Sequence, residues 1–127
     1  MAAKLHLKVK RVYDPPGADD GIRYLVDRLW PRGQKKERLQ LAAWLKDVSP
    51  SAELRRRFGH DPRRWDEFQH AFAAELDANP SAWQPILNAA LRETVTLLFG
   101  ARDTEHNNAV ALKSYLEIKA GHNESPP

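Results

Sequence analysis

The sequence contains no cysteine, which excludes disulfide bonds, thiolate metal sites and cysteine nucleophiles. It also lacks a run of 18 apolar residues and an apolar leader-like segment, so we expect a soluble, cytoplasmic protein that does not associate with membranes. Neither a glycine-rich phosphate loop nor a G-x-S-x-G nucleophile motif is present. The sequence therefore offers no recognisable nucleophile.

The length and the charge distribution limit the remaining choices. A chain of 127 residues suits one domain that buries about two-thirds of its unfolded surface. We expect this domain to cover residues 1–120, and residues 121–127 to form a disordered tail. The net charge is +3, but residues 1–37 alone hold nine Lys/Arg and five Asp/Glu. This asymmetry favours an anionic partner, and the alternative explanation is solubility.

Three segments have the pattern of β-strands. The period of two from Leu5 to Val12 predicts a strand with one buried face. A second short strand is predicted over 22–27. The segment 95–99 is apolar without alternation, which is typical of a strand buried on both faces in a parallel sheet. Parallel pairing of the second and third strands requires a long crossover, which the intervening helices supply.

The spacing of apolar residues between and after these strands predicts helices. Positions 41, 44, 45 and 48 form one apolar helical face. Ser49 and Pro50 are typical of an N-cap and a first helical residue, and Gly59 is expected to end that helix. Further helices are predicted over 62–79, 81–91 and 109–116. The expected fold class is therefore α/β: a small, mostly parallel sheet covered by about four to five helices in a single layered domain.

Polar residues follow two of the predicted strands. In open parallel sheets, ligands bind beyond the carboxyl ends of the strands, so neighbouring strands would bring both clusters to one pocket. We expect this pocket to bind a small anionic ligand that carries a phosphate or a carboxylate. Its candidate ligand-binding residues are Arg28, Trp30, Arg32, Arg102, Asp103 and Asn107.

Asp27 and His106 are the candidate catalytic residues. Imidazole exchanges a proton near neutral pH, so His106 is a candidate acid or base, and Asp27 is expected to orient it or to activate a water. Arginines would bind a phosphate or carboxylate through two hydrogen bonds each. Asp103 or Thr104 would cap the last helix and leave first-turn N–H groups for the anion. The structural alternatives are a loop salt bridge for Asp27, a core position for Trp30 and a plain N-cap for Asp103.

Two other site types are less favoured by the residues. The arginines around Gly59 suggest nucleic acid, but three consecutive ones spread around a helix, and nearby acidic residues dilute their field. These arginines are Arg55, Arg56, Arg57, Arg63 and Arg64. His60, His106 and Asp103 are metal-ligand types without the spacing of a known zinc motif, so no metal site is predicted, and no cofactor is assigned. The open alternatives to an anion site with hydrolytic or transfer activity are a nucleic-acid accessory protein and a binding module without catalysis.

Several motifs resemble those of a known family. They include Lys10-Arg11-Val12-Tyr13-Asp14, Val26-Asp27-Arg28-Leu29-Trp30-Pro31-Arg32-Gly33, Trp44-Leu45-Lys46-Asp47, Phe58-Gly59-His60 and Ala101-Arg102-Asp103. Over residues 4–118 the chain is similar to the YeaO-like branch of the bacterial family called domain of unknown function 488. The resemblance implies an α/β fold with both polar clusters at one rim, and it implies no substrate.

Other branches of that family are similar in carrying two short motifs. They have an Asp-x-Arg stretch after an early strand and a Cys-His-Arg stretch after a late one. The equivalents here are Asp27-Arg28 and Glu105-His106-Asn107, without the cysteine and the final arginine. Chemistry that depends on that cysteine is therefore not implied for this chain.

Overall fold

A four-stranded parallel sheet lies at the centre of the structure. A computed structural model describes residues 4–124, and the side chains of residues 4–121. The strands are β1 (Leu7–Arg11), β2 (Ile22–Leu25), β3 (Ala43–Trp44) and β4 (Val95–Phe99). Their order in the sheet is β1-β4-β2-β3, and every neighbouring pair is parallel. The prediction of a small, mostly parallel sheet is confirmed.

Helices connect and cover these strands. The α-helices are α1 (Lys36–Leu39), α2 (Ala52–Phe58), α3 (Trp65–Asp77), α4 (Pro80–Arg92) and α5 (Asn108–Glu124). Short 3-10 helices cover Ala18–Asp20, Lys46–Val48 and Pro62–Arg64. The α/β fold class, with about four to five helices in a single layered domain, is confirmed.

The central position of β4 explains its apolar sequence. Val95 lies opposite both Leu7 of β1 and Ile22 of β2, and all five residues of β4 are buried. The chain between β2 and β4 contains α2, α3 and α4, which is the long crossover that parallel strands need. The predicted pairing of the strands over 22–27 and 95–99, which are β2 and β4, is therefore confirmed. The short edge strand β3 is not predicted from the sequence.

The two faces of the sheet are covered differently. Residues of α2 to α5 pack with alternate residues of β1 and β4 in the larger core, whose centre includes Phe72, Leu97, Phe99, Leu112 and Leu116. A smaller cluster of Val12, Leu25, Leu39 and Leu98 covers the opposite face, with Trp30 and Trp44 packed against it. Helices α2 to α5 therefore cover one face of the sheet, and the short helix α1 with loop residues covers the other.

The helix predicted over 41–48 is wrong. Ala43 and Trp44 form the edge strand β3 beside Tyr24 and Leu25, and Lys46–Val48 is a single 3-10 turn. The backbone N–H of residue 42 donates to residue 23, and that of residue 45 donates to residue 25. Pairing with the open sheet edge satisfies the backbone hydrogen-bonding groups of this segment. The helical spacing of its apolar side chains therefore does not decide its conformation.

The predicted start of α2 is also displaced. Ser51 rather than Ser49 caps α2, and its Oγ accepts the N–H of Leu54 at 3.1 Å while it donates to Glu75 at 2.6 Å. Ser49 instead donates to the carbonyl of Lys46 at 2.6 Å. Gly59 ends α2 in the left-handed conformation, as predicted. A tertiary partner, Glu75, therefore selects the cap among nearby serines.

The carboxyl terminus falls partly outside the described residues. The backbone of α5 remains helical to Glu124, so the predicted tail over 121–127 starts inside this helix. Its last residues, 125–127, lie outside the described residues, and the division at residue 120 stays a prediction. No helix in the described part of the chain is long and apolar enough to cross a membrane.

Candidate functional site

Parallel pairing of β2 and β4 brings the two chain segments that follow these strands together. Asp27 comes two residues after β2, and Gly100 follows β4 directly. The Oδ2 atom of Asp27 accepts the backbone N–H of Gly100 at 2.8 Å. A Cβ atom at position 100 would lie 3.3 Å from that oxygen, so glycine permits this close approach.

A cavity of about 600 Å³ opens at this edge of the sheet. Its polar lining includes Asp27, Arg28, Arg32, Arg55, His60 and Asn107. Leu29, Phe58 and Phe68 are among its apolar residues, and Leu29 is 69% exposed. The cavity therefore combines three guanidinium groups with one carboxylate against a partly apolar wall, which is a composition suited to a small polar ligand.

The carboxylate of Asp27 is held in a partly desolvated position. Burial raises its pKa above the ordinary value, although the Gly100 N–H, the Asn108 side chain and the charge of Arg55 act in the opposite direction. The Asn108 side chain also donates to the carbonyl of Val26 at 3.0 Å. Asp27 thus has few hydrogen-bond donors for a carboxylate removed from water.

Arg55 is the cationic group most closely associated with Asp27. It lies on α2, its side chain is partly buried, and its Nε atom is fully buried without a hydrogen-bond partner. An unpaired buried donor costs about 1–3 kcal/mol, so this nitrogen is unusual inside a folded protein. Arg28 and Arg32 are exposed residues on the loop after β2, at the mouth of the same cavity.

His106 lies outside the cavity lining and is oriented by Asp103. The Oδ2 atom of Asp103 lies 3.0 Å from His106 Nδ1, and the His106 ring packs edge-on against Trp65 at 5.3 Å. The prediction that Asp27 orients His106 is therefore wrong. Asp27 follows β2, whereas Asp103 and His106 lie on a separate turn, residues 102–107, after β4.

Asp103 organises that turn rather than capping the last helix. Its Oδ1 atom accepts the N–H groups of Glu105 and His106, each at 2.9 Å, and these bonds lower its pKa. The side chain of Asn107 accepts the N–H of Val110 at 3.0 Å and so caps α5. The predicted cap at Asp103 or Thr104 is wrong because the turn delays the start of the helix until Asn108.

Trp30 and Arg102 also lie away from the cavity lining. The indole of Trp30 donates to the carbonyl of Gln34 at 2.8 Å and packs against Trp44 with ring centroids 5.2 Å apart. It therefore fills the smaller core, which is the structural alternative for this residue. Arg102 is exposed on the 102–107 turn. Of the eight predicted site residues, the cavity is lined by Asp27, Arg28, Arg32 and Asn107.

Comparison with known proteins places the chain in a family. A family model described as the inactive DUF488-N3 subclade matches residues 6–126. The chain belongs to this subclade. The resemblance to the family domain of unknown function 488, stated above from the motifs, is confirmed.

Relatives of this DUF488-N3 chain are similar over nearly their whole length. The uncharacterized protein YeaO of Escherichia coli K12 is 39% identical over 112 residues, which cover 88% of this chain and 97% of YeaO. Mb3100c of Mycobacterium bovis and Rv3073c of Mycobacterium tuberculosis are each 36% identical over 116 residues, 91% of this chain and 98% of each relative. No solved structure matches the chain.

Among the polar residues that line the cavity of this DUF488-N3 chain, sequence reasoning did not assign Ser49, Arg55, His60 and Asn108 to the site. Arg55 lies three residues before the buried Phe58, a helical spacing that places both on one side of α2 and was available from the sequence. His60 follows Gly59, and both adopt the left-handed conformation, with φ of 55° and 56°. No feature of the local sequence predicts that the turn at Gly59 and His60 lies beside the end of a strand.

Three of the remaining arginines around Gly59, Arg57, Arg63 and Arg64, form local ion pairs. Arg57 pairs with Glu67 at 2.9 Å, and Arg63 pairs with Asp61 at 3.1 Å. These exposed pairs reduce the positive field that a nucleic acid would meet. Among the described residues, no group of three His, Asp or Glu side chains is placed to hold a metal ion.

Proposed function

We propose that this protein binds a small anionic ligand, with a phosphate or carboxylate group, in the cavity beside Asp27, and that it does not transform this ligand. The observation that carries the proposal is the presence of three guanidinium groups, those of Arg28, Arg32 and Arg55, in the lining of one cavity. Hydrogen bonds between a guanidinium and an oxyanion contribute about 1.5–3 kcal/mol each.

The charges of the cavity support an anion rather than a cation. Three arginines face one carboxylate, and the pKa of that carboxylate, Asp27, is raised by burial. Guanidinium groups match the geometry of phosphate and carboxylate oxygens through paired hydrogen bonds. Arg28 and Arg32 are exposed and have side chains long enough to close over a ligand, whereas Arg55 is held on a helix.

Two observations support binding without turnover. The family model that matches this chain is described as inactive. His106, the candidate acid or base, is bonded to Asp103 and packs on Trp65 outside the cavity lining. A general acid or base must be within hydrogen-bond reach of its substrate, directly or through one water, so His106 does not serve a ligand in this cavity. Asp27 and His60 do line the cavity, so binding without turnover rests on the description of the family model. The hydrolytic or transfer activity expected from the sequence is therefore not part of the proposal.

The proposal is tested by isothermal titration with inorganic phosphate, phosphate monoesters and short carboxylates. Binding with Kd in the millimolar range or tighter is expected for at least one probe, together with a rise in melting temperature by mass action. Arg55→Gln should weaken binding at least tenfold. Arg56→Gln is the matched control because it removes the same charge from the next, exposed position of α2.

Two results would contradict this function. One is the absence of binding by every anionic probe at low ionic strength. The other is equal weakening by Arg55→Gln and Arg56→Gln, which would indicate a general charge effect instead of a site. Binding of an oligonucleotide with a steep salt dependence, unaffected by Arg55→Gln, would favour the nucleic-acid alternative.

A further inference from the structure

We infer that Asp27 makes the cavity selective for an anion that also carries a hydrogen-bond donor, such as a hydroxyl or ammonium group close to its phosphate or carboxylate. This inference rests on the proposed anion site, and it assigns Asp27 the role of a specificity-determining residue. The donor-bearing part of the ligand lies against Asp27, and the anionic part lies against the arginines.

The first support is the rigid position of Asp27. The indole of Trp44 donates to its backbone carbonyl at 2.7 Å, and the Gly100 N–H donates to its Oδ2 atom at 2.8 Å. The preceding residue, Val26, donates to Leu98 at 3.2 Å and accepts from the Asn108 side chain at 3.0 Å. Bonds from β4, α5 and the sheet edge thus hold the carboxylate in place before any ligand arrives, which favours specific recognition.

The second support is the incomplete set of partners around this carboxylate. An ionised carboxylate has about four acceptor positions, and here the Gly100 N–H occupies one of them, while the Asn108 side chain is close enough to lower the pKa of the carboxyl. Within the part of the chain that the structure describes, Asp27 forms no ion pair, and Arg55 acts on it only through its charge. Acceptor positions therefore remain for a ligand in the cavity that Asp27 lines.

The third support is the unfavourable energy of two anions in one cavity. A ligand with acceptor atoms alone would place its charge beside the Asp27 carboxylate, and like charges at close range are repelled in a partly desolvated site. A hydroxyl or ammonium group on the ligand replaces that repulsion with a hydrogen bond. Sites that contain such an unpaired polar group discriminate strongly against analogues that lack the matching donor.

The test compares two phosphate esters that share a three-carbon chain. Glycerol 3-phosphate carries two hydroxyl donors, and n-propyl phosphate carries none. Isothermal titration of the full chain should show at least tenfold tighter binding of glycerol 3-phosphate. In Asp27→Ala and Asp27→Asn this preference should fall to less than threefold, and n-propyl phosphate should bind more tightly than it does to the unmodified chain.

Controls separate this inference from a loss of fold and from the proposed function. Asp27→Asn keeps the side-chain shape if Asp27→Ala does not fold, and Asp66→Asn removes a charge from an exposed position of α3. Equal binding of the two esters by the unmodified chain, or a preference that survives both Asp27 variants, overturns the inference. If both esters bind equally and Arg55→Gln weakens both, the proposed function stands alone. If neither ester binds, the inference fails, and the proposed function is decided separately by inorganic phosphate and the short carboxylates.

Discussion

Two aspartates lie at opposite ends of β2, and their surroundings differ. Asp20, just before the strand, is 2% exposed and accepts hydrogen bonds from the Gly17 N–H and from Lys10, both near 3 Å, and from the guanidinium of Arg23. Asp27, just after the strand, accepts a hydrogen bond from the Gly100 N–H, and the Asn108 side chain is the other polar group that lowers its pKa. Because the environments differ, the same residue type has different roles at the two ends of one strand.

The pKa values of the two carboxyls move in opposite directions. Burial alone would raise the pKa of Asp20, but the hydrogen bonds from Gly17, Lys10 and Arg23 outweigh it and lower the pKa to about 2. At Asp27 the raising effect of burial prevails. A buried carboxylate with a full set of donors stabilises the fold, whereas one with an incomplete set marks a candidate binding position.

The largest expected effect on stability is that of replacing Asp20. Asp20→Asn should lower the free energy of unfolding by about 3–5 kcal/mol, since it leaves the charge of Arg23, which is 4% exposed, without its partner. Chemical denaturation measures this loss. Asp19→Asn, at the exposed neighbouring position, should change the free energy by less than about 0.5 kcal/mol. Similar losses in both variants would contradict the contrast between the two aspartates.

A smaller effect is expected from acid, which should remove the part of the unfolding free energy that the ionised Asp20 carboxylate contributes. The folded-state pKa of Asp20 is about 2, below its ordinary value of 3.8, so its contribution is present above about pH 4 and is lost as the pH falls toward 2. The shift corresponds to about 2 kcal/mol. The difference in unfolding free energy between the unmodified chain and Asp20→Asn should shrink by this amount between pH 5 and pH 2. A difference that does not change with pH would contradict the assignment.

The smallest effect on stability is expected at Asp27. Its pKa is raised, so its ionised form disfavours the folded state above the ordinary range of carboxyl titration, and this cost disappears as the pH falls. Asp27→Asn should therefore leave the unfolding free energy unchanged or raise it, although it alters ligand preference. Thermal denaturation at pH 7 checks this, and a loss as large as that of Asp20→Asn would show that Asp27 is structural.

Local sequence patterns predict some elements of this fold and not others. The unbroken apolar run Val95–Phe99 predicts a central parallel strand, and the structure contains that strand. The apolar spacing over 41–48 predicts a helix, but the backbone of this segment pairs with the exposed edge of β2, and side-chain spacing does not contain that information. Ser49 and Ser51 are both good N-caps, and only the position of Glu75 on α3 distinguishes them.

The candidate site shows the same division. The position of Asp27 at the end of a strand, and the arginines that follow it, were readable from the sequence. In the sequence Arg55 is one of the arginines around Gly59 that spread around a helix, and its place in the cavity lining depends on how α2 packs beside the strand ends. The residue type of His106 predicts a role in the site, but its bond to Asp103 depends on the turn over 102–107.

The sequence by itself determined the α/β class, the central strand and the main helices, because hydrophobic periodicity and turn residues act within a few positions of the chain. Only the tertiary structure decided which polar groups meet. Strand order brings Gly100 to Asp27, and the packing of α2 brings Arg55 to the same cavity. Contacts between residues distant in sequence depend on how whole elements pack, and the pattern of any one element does not contain that information.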